Sequence, residues 1–332
     1  MKYFKFCFVL LISLFLFSAL NAQKRTIKKA DEAFEIGEYF LAFELYEKAY
    51  EKLTEKDVKA EVAFKAGECN RIMMDDRKAM RWYRKAVRGK INNPLAYLYY
   101  AEGLKMNEKY EEAKEEYKKF KNMVPDDPRG QNGIESCEMA LEWMSNPTRF
   151  IVTEVEDINS KKADFSPSFG KSRSELYFSS NRESANGKNL SNITGESYSD
   201  IFVAKKDRKG KWSVPVPVEG NVNSEGSEGA AIIINDGAVM YFSMCEQIEN
   251  ANMGCKIYRS KNNAGGWSDP EMITIQGDSS VSVGHPAVTE DELTMYFVSD
   301  SVPGNKGRGG KDIWVVTRSS VGGSWGEPEN LG

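Results

Sequence analysis

The chain has 332 residues, of which 41% are hydrophobic and 28% are charged. It is too long for one ordinary compact core, and its composition is typical of folded soluble domains rather than disordered or polytopic membrane proteins. The 45 Lys and Arg residues are balanced by 49 Asp and Glu, so no basic excess is present to bind nucleic acid. A single histidine leaves little for histidine-based catalysis or zinc binding. We therefore expect no enzymatic activity, no cofactor, no metal and no small-molecule substrate.

The N-terminal segment, 1–22, predicts export. Lys2 and Lys5 precede an apolar run, 6–17, that is followed by the small-residue stretch 18–22. This is the pattern of a secretory signal peptide over 1–22, with cleavage expected after Ala22. A transmembrane anchor is the alternative, although the apolar run is shorter than the ~20 residues that a bilayer-spanning helix needs.

The amino-acid composition of the remaining chain changes near Asn146-Pro147, which predicts one domain over 23–146 and a second over 147–332. The first is rich in Glu, Lys and Ala, and it contains three copies of a small-aromatic-small pattern. The copies are Ala42, Tyr46 and Ala49; Ala79, Tyr83 and Ala86; and Ala113, Tyr117 and Phe120. The offset from the second copy to the third is the period of helix-turn-helix arrays, and the first offset is slightly longer. With Gly37, Tyr39, Gly67, Tyr110 and Pro125 in matching places, the region resembles three tetratricopeptide repeats, and 131–144 is expected to form a capping helix.

Such an α-solenoid binds extended peptides or helices in a concave groove made by the first helix of each pair. If the resemblance holds throughout, six residues are candidates to face that groove: Phe34, Phe64, Glu68, Arg71, Glu102 and Lys105. The alternative is that they are ordinary solvated or packing positions.

The second domain, 147–332, consists of short strand-like runs between Gly, Ser and Asn turns. Three landmarks recur in one order: a Tyr-Phe pair, an Asp-Ile-aromatic run in which Lys256 replaces the Asp of the second copy, and Trp followed three residues later by Pro. The landmark residues are Tyr177, Asp200 and Trp212 in the first copy, Tyr241 and Trp267 in the second, and Tyr296, Asp312 and Trp325 in the third. The spacing of the Tyr-Phe pairs, which begin at positions 177, 241 and 296, suits four-stranded propeller blades with loops of variable length.

With Ser166-Pro167 in the first copy and Gly309-Gly310-Lys311-Asp312-Ile313-Trp314 in the third, these repeats resemble the WD40-like blades of TolB and of periplasmic proteins of Bacteroidetes. The order of modules resembles outer-membrane-associated Bacteroidetes proteins that continue into an OmpA-like domain, including a component of type IX secretion. The resemblance implies a non-catalytic periplasmic scaffold associated with the outer membrane, with other envelope proteins as partners. Peptidoglycan binding is expected only if a further C-terminal domain exists.

The expected fold class is thus α + β multidomain: a tetratricopeptide α-solenoid followed by an all-β propeller with three visible blades. Three blades are too few to close a ring, because propellers typically use four to eight. Residues 158–160, Ile-Asn-Ser, also match 222–224, Val-Asn-Ser, as if both completed a preceding blade. We therefore expect the propeller to be incomplete and the chain to be part of a longer protein.

The cysteines fit an oxidising compartment. Cys245 and Cys255 are ten residues apart at opposite ends of a predicted hairpin, where they are candidates for a disulfide. Two free thiols are the alternative. Cys69 and Cys137 are expected to pack in the helical array.

Two other functions remain open for the second domain. Residues 260–267 faintly resemble the Asp-box turn of sialidases, although Asn262 replaces the defining acid. A carbohydrate-binding propeller would instead stack sugars on exposed tryptophan rings, whereas blade packing would bury them. A purely structural scaffold, without peptide recognition, is the further alternative.

Overall fold

The computed structural model describes residues 23–186, 190–246, 254–263, 266–275, 281–302 and 307–332. The chain divides into two units, Met1–Val152 with Asn192–Gly195, and Thr153–Ser191 with Glu196–Gly332. The predicted signal peptide, 1–22, lies outside the described residues. Within the described ranges, no helix has both the length and the hydropathy that crossing a bilayer requires.

The first unit is helical. Its described residues form seven helices: α1 (23–35), α2 (Tyr39–Lys52), α3 (Lys56–Ile72), α4 (Asp76–Arg88), α5 (Pro94–Met106), α6 (Tyr110–Met123) and α7 (Pro128–Ser145). Helix α7 ends next to the predicted domain boundary at 146/147.

Local signals in the sequence place several of the helix ends. The Asp75, Asn93 and Asp127 side chains each accept a hydrogen bond from a backbone N–H in the first turn of α4, α5 and α7. Proline follows at the first position of α5 and α7, where the missing N–H costs nothing. The turns within the three hairpins have a left-handed residue at equivalent positions, Gly37 (φ 84°), Met74 (φ 62°) and Glu108 (φ 59°). The repeat therefore extends to backbone conformation.

The helices pack mainly on their neighbours in sequence, as expected of a solenoid. Small residues on one helix contact aromatic rings of a neighbouring helix. A Cβ added at Gly67 would lie 2.6 Å from the Tyr83 ring, and one at Gly133 would lie 2.4 Å from the Tyr117 ring. Both tyrosines are fully buried. The tyrosines picked out by the repeat thus fill the space left by glycines on the facing helices.

Helix α7, which contains the predicted capping helix 131–144, packs on the array by a narrow face. Gly130, Gly133 and Cys137 are buried, whereas Met139 is 47% exposed and Trp143 is 62% exposed. The buried face is narrow because only the first half of the helix meets α6 through small residues. The apolar residues near the end of α7 therefore do not form part of the predicted cap.

The second unit is built from antiparallel sheets. Sheet 1 contains β1 (Asp164–Gly170), β2 (Glu175–Ser180), β3 (Asp200–Lys205) and β4 (Val216–Pro217). Sheet 2 contains β5 (Ser227–Ile234), β6 (Val239–Glu246), β7 (Gly254–Asn263), β8 (Gly266–Trp267) and β9 (Glu271–Met272). Sheet 3 contains β10 (Gly284–Val288), β11 (Thr294–Ser299), β12 (Asp312–Thr317) and β13 (Glu329–Asn330). Sheets 1 and 3 pair their strands in sequence order, and in sheet 2 β8 and β9 both pair with β7.

The sheets stack through apolar faces, as blades do. Tyr177 and Ile201 of sheet 1 pack with Met240 of sheet 2 in one cluster. Tyr241 of sheet 2 packs with Phe297 of sheet 3 in another. The described residues form three stacked, open sheets and no closed ring, as expected for three repeats, and the assignment of these sheets to a propeller stays a prediction.

The match between 158–160 and 222–224 is a structural equivalence. Ile158 and Val222 are both buried. The backbone N–H of Ser160 donates to Asp164 over 2.6 Å, and that of Ser224 donates to Glu228 over 3.1 Å. In each case a carboxylate four residues later, in the first strand of a sheet, fixes the incoming segment.

Glu228 provides a pH-dependent test of the second unit. Its side chain is fully buried, and burial raises its pKa to about 7, against the hydrogen bonds from Ser224. The ordinary value of about 4.3 applies when the chain unfolds. The folded unit therefore binds more protons between these values, and its stability should fall as the pH rises from about 4.5 to about 7. We expect Glu228→Gln to flatten that slope in urea-unfolding midpoints measured at pH 5 and pH 8.

The matched control is Glu225→Gln, because Glu225 is exposed three residues away. It should retain the slope of the unchanged protein. A slope that persists in Glu228→Gln would contradict the assignment to this carboxyl.

The Sγ atoms of Cys245 and Cys255 are bonded in the structure, with the Cα atoms 4.0 Å apart. The two residues are directly opposite each other on β6 and β7. Cys69 and Cys137 are buried and unpaired, and burial raises the pKa of the Cys69 thiol to about 12. Neither helical thiol has the low pKa of a reactive cysteine.

Candidate functional site

The candidate site in the first unit is a surface along α1, α3 and α5, the first helices of the three pairs. Each of these helices carries an acidic residue fifteen positions before the repeat tyrosine of its partner helix. The pairs are Asp31 with Tyr46, Glu68 with Tyr83, and Glu102 with Tyr117. The repeat therefore places carboxylates, and not only packing residues, at equivalent positions.

The first pair is joined to the next repeat. The Tyr46 hydroxyl donates to Oδ1 of Asp31 over 2.5 Å. Nζ of Lys65, on α3, donates to the same oxygen over 2.6 Å. Burial, followed by the hydrogen bond to Asp31, raises the pKa of Tyr46. The tyrosine therefore remains a neutral donor that fixes the carboxylate of Asp31.

The second pair adds an arginine. The Tyr83 hydroxyl donates to Oε1 of Glu68, and Arg71 donates from Nε and Nη2 to the two oxygens of that carboxylate over 3.1 and 2.9 Å. The hydrogen bond to Glu68 raises the pKa of Arg71 further. The guanidinium also lies 4.7 Å from the centre of the Tyr99 ring on α5. Glu68 and Arg71 are thus held rigidly by the bidentate pairing.

The third pair has a different arrangement. Glu102 forms an ion pair with Lys105 at 3.2 Å, and Nζ of Lys105 donates to Oγ of Ser136 over 3.4 Å. The Tyr117 hydroxyl is buried without a hydrogen-bond partner among the described residues. Burial, followed by the nearby Glu102, raises its pKa. The surface therefore ends in an ion pair on α5 whose lysine also contacts α7.

A cavity of about 400 Å³ opens between α1 and α3. Its lining combines two phenylalanines with charged side chains: Asp31, Phe34, Glu35, Tyr46, Phe64, Lys65 and Glu68. Phe34 packs edge-on against Tyr39 at 5.1 Å between ring centroids, and Phe64 packs against Tyr83 at 5.9 Å. An apolar floor rimmed by acids is suited to an apolar side chain with a basic neighbour.

Three of the six predicted groove residues, Phe34, Phe64 and Glu68, line this cavity. Arg71 contacts Glu68 beside it, while Glu102 and Lys105 lie farther along, on α5. Sequence reasoning missed Asp31, Glu35 and Lys65. For Asp31 a signal existed, because it precedes Tyr46 by the same fifteen residues that separate Glu68 from Tyr83.

Two of the three landmark tyrosines of the second unit form buried hydrogen bonds. Tyr177 donates to Glu175 over 2.9 Å, and Tyr241 donates to Glu292 over 2.7 Å. Tyr296 differs, being 42% exposed. The first two rings pack against the following sheet, whereas no further sheet covers Tyr296 in the part of the chain that the structure describes.

The predicted aspartates cap loops. Asp200 accepts the backbone N–H of Asn186 over 2.7 Å. Asp312 accepts that of Arg308 over 2.6 Å and the Asn330 amide over 2.8 Å. In the middle sheet Lys256 takes the equivalent place, and its Nζ donates to the Val281 carbonyl over 2.6 Å. A lysine can therefore bind a loop by donating to a backbone carbonyl, where the aspartates bind theirs by accepting a backbone N–H.

The tryptophan rings do not form an exposed stacking surface. Trp314 and Trp325 are buried, and the Trp314 N–H donates to the Ser299 carbonyl over 3.1 Å. Trp267 packs edge-on against Tyr177 at 5.9 Å, and Lys206 lies 4.6 Å above Trp212, which is half-buried. Within the described ranges, no group of three His, Cys, Asp or Glu side chains is gathered to hold a metal ion.

Solved structures that match parts of this chain include two TPR domains and an endo-arabinase. The first TPR of Spaghetti (RPAP3) bound to HSP90 peptide SRMEEVD is 18% identical, with 36% of this chain and 93% of that chain covered and a TM-score of 0.32. The Arabidopsis OM64 TPR domain is 15% identical, with 36% and 98% covered and a TM-score of 0.33. The endo-arabinase from Bacteroides thetaiotaomicron VPI-5482 is 18% identical, with 55% and 66% covered and a TM-score of 0.32.

No family model matches the chain, and no curated protein matches it. Because the identities and TM-scores of the solved structures are low, neither the peptide bound by the first protein nor the enzyme class of the last transfers to this chain. Function therefore has to be inferred from the residues of the chain itself.

Proposed function

We propose that this protein is a non-catalytic scaffold whose helical unit, a tetratricopeptide-type array, binds a peptide segment of another protein. The observation that carries the proposal is the row of fixed carboxylates on α1, α3 and α5 beside the Phe34–Phe64 cavity. Helical arrays of this kind bind extended segments along such a surface. Because tyrosines and basic residues already orient the carboxylates, a partner finds a largely preformed surface.

The lining suggests the chemistry of the bound segment. An apolar side chain of the partner would enter between Phe34 and Phe64. Three acids, Asp31, Glu35 and Glu68, face one base, Lys65, around the cavity. A Lys or Arg next to the apolar anchor would therefore be favoured over Asp or Glu.

The same proposal places the protein in the cell envelope. The signal-like segment 1–22 and the disulfide between Cys245 and Cys255 support an exported, oxidised location. The resemblance to TolB-type and OmpA-containing Bacteroidetes proteins supports the periplasm, in association with the outer membrane. Envelope proteins, including those of type IX secretion, would then be the partners, and peptidoglycan would bind only through a further domain.

A peptide-display selection on the exported chain, 23–332, tests the helical unit. We expect the enriched peptides to pair an apolar residue with a neighbouring Lys or Arg. Glu35→Lys, which reverses a charge on the cavity, should weaken the best peptide at least about tenfold.

The matched control is Glu44→Lys, an equal charge reversal at an exposed position of α2 outside the cavity lining. It should leave the affinity unchanged. Failure to enrich any peptide, or equal losses in both variants, would refute peptide binding at this surface.

A further inference from the structure

The second unit contains a separate cavity of about 520 Å³. It is lined by Arg259 of β7, Met272 of β9 and Ile273 beside it, and by Arg318, Val321 and Trp325 from the segment after β12. Two arginines thus share a cavity with an apolar wall. Neither arginine is one of the repeated landmark residues. Arg259 comes from sheet 2, and Arg318 follows the third strand of sheet 3.

The two arginines share one carboxylate. Arg259 donates from Nε and Nη2 to Glu292 over 2.7 and 3.0 Å. Arg318 donates from Nε to the Glu292 carbonyl over 2.7 Å, and its Nη2 lies 3.6 Å from the carboxylate. All three side chains are more than nine-tenths buried. Two guanidiniums and one carboxylate give the cluster one positive charge in excess.

A second feature points to the same cavity. Trp325 is only 4% exposed and lines the cavity. Its indole N–H is buried and has no hydrogen-bond partner among the described residues. A buried donor without an acceptor is costly, and a bound acceptor would offset that cost. The indole N–H and the guanidiniums are all hydrogen-bond donors, which is the donor set that an anion requires.

We propose that this cavity binds a small carboxylate with an apolar body. The carboxylate would accept hydrogen bonds from the Arg259 and Arg318 guanidiniums, whose planar forks suit its geometry. The apolar body would lie on Met272, Ile273 and Val321. Lys261 and Glu271 also line the cavity, but they are exposed and opposite in charge, so the buried excess remains positive. The site does not depend on peptide binding by the helical unit.

Benzoate is the probe for the exported chain, and the methyl signal of Met272 in methyl NMR is the readout. We expect a saturable shift with benzoate and a far weaker one with benzamide, which has the same shape without the charge. Arg318→Gln should weaken benzoate at least about tenfold, as expected for loss of a charge-assisted hydrogen bond.

Because Arg318→Gln removes part of a buried cluster, a second variant fills the cavity from its exposed side. Val321 is 55% exposed, and Val321→Trp should abolish the shift, while Val214→Trp, at an exposed position outside the cavity lining, should not. No saturable shift, or equal binding of benzoate and benzamide, would overturn the proposal. Inorganic phosphate binding as tightly as benzoate would show that the carboxylate assignment is wrong.

Discussion

Replacing Glu292 by glutamine is expected to destabilise the second unit by about 3–5 kcal/mol, because two buried guanidiniums would lose the carboxylate that they share. Arg259 and Arg318 reach Glu292 from different sheets, and the Tyr241 hydroxyl donates to the same carboxylate. A glutamine amide keeps only one of the two acceptor oxygens, turns the other into a donor and supplies no charge. The effect should appear in urea unfolding followed by tryptophan fluorescence, and hydrogen exchange should increase in β7 and β12.

Glu327→Gln is the matched control, since Glu327 is exposed near the end of the same sheet. Its free energy of unfolding should change by less than about 0.5 kcal/mol. If the two variants were equally stable, Glu292 would not hold the two arginines together, and sheets 2 and 3 would depend on apolar packing alone.

The sequence predicted this unit's strands but not the cluster around Glu292. Strands follow from local patterns, and the repeated Tyr-Phe pairs marked the central strand of each sheet. Arg259 and Glu292 are 33 residues apart and come from different sheets. Arg318 follows Glu292 by 26 residues. Whether these three side chains come into contact depends on how the sheets stack. The repeat pattern of the sequence carries no information about that stacking.

The same reason explains the differing exposure of equivalent residues. Tyr241 and Tyr296 occupy the same place in the repeat, yet within the described ranges only Tyr241 has a following sheet to cover it. Whether a residue is buried depends on the element that packs against it, whereas the sequence pattern describes only the strand to which the residue belongs. Residues at equivalent repeat positions therefore occupy the same place in their sheets but can differ in how far they are buried.

The helical unit was predictable in more detail, because its contacts are between neighbours in sequence. The aromatic and small positions predicted from the three copies of the repeat are all buried. The acid partner of each tyrosine lies only fifteen residues earlier, on the preceding helix. Lys65 was not predictable in this way, because its bond to Asp31 joins two repeats across α1 and α3.

That neighbour packing leads to the second large effect, at Gly133 in α7. Alanine is the better helix former by about 1 kcal/mol, so intrinsic propensity alone predicts that Gly133→Ala stabilises the first unit. The new Cβ would lie 2.4 Å from the Tyr117 ring, whose side chain is fully buried. Overpacking of this kind costs about 1–3 kcal/mol, so we expect a net loss of stability. Urea unfolding followed by helical circular dichroism measures the sign.

Asn132→Ala separates the two contributions, because residue 132 is exposed in the same helix and gains only the helix propensity of alanine. It should be neutral or slightly stabilising. Gly67→Ala should show the same kind of loss as that expected at Gly133, since its Cβ would lie 2.6 Å from the ring of Tyr83, the repeat tyrosine that corresponds to Tyr117. A gain of stability in both glycine variants would mean that the rings yield readily. The tyrosines would then not fix the spacing of the helices, and the carboxylate of Glu68, which accepts the Tyr83 hydroxyl, would lose the rigid support on which a preformed binding surface depends.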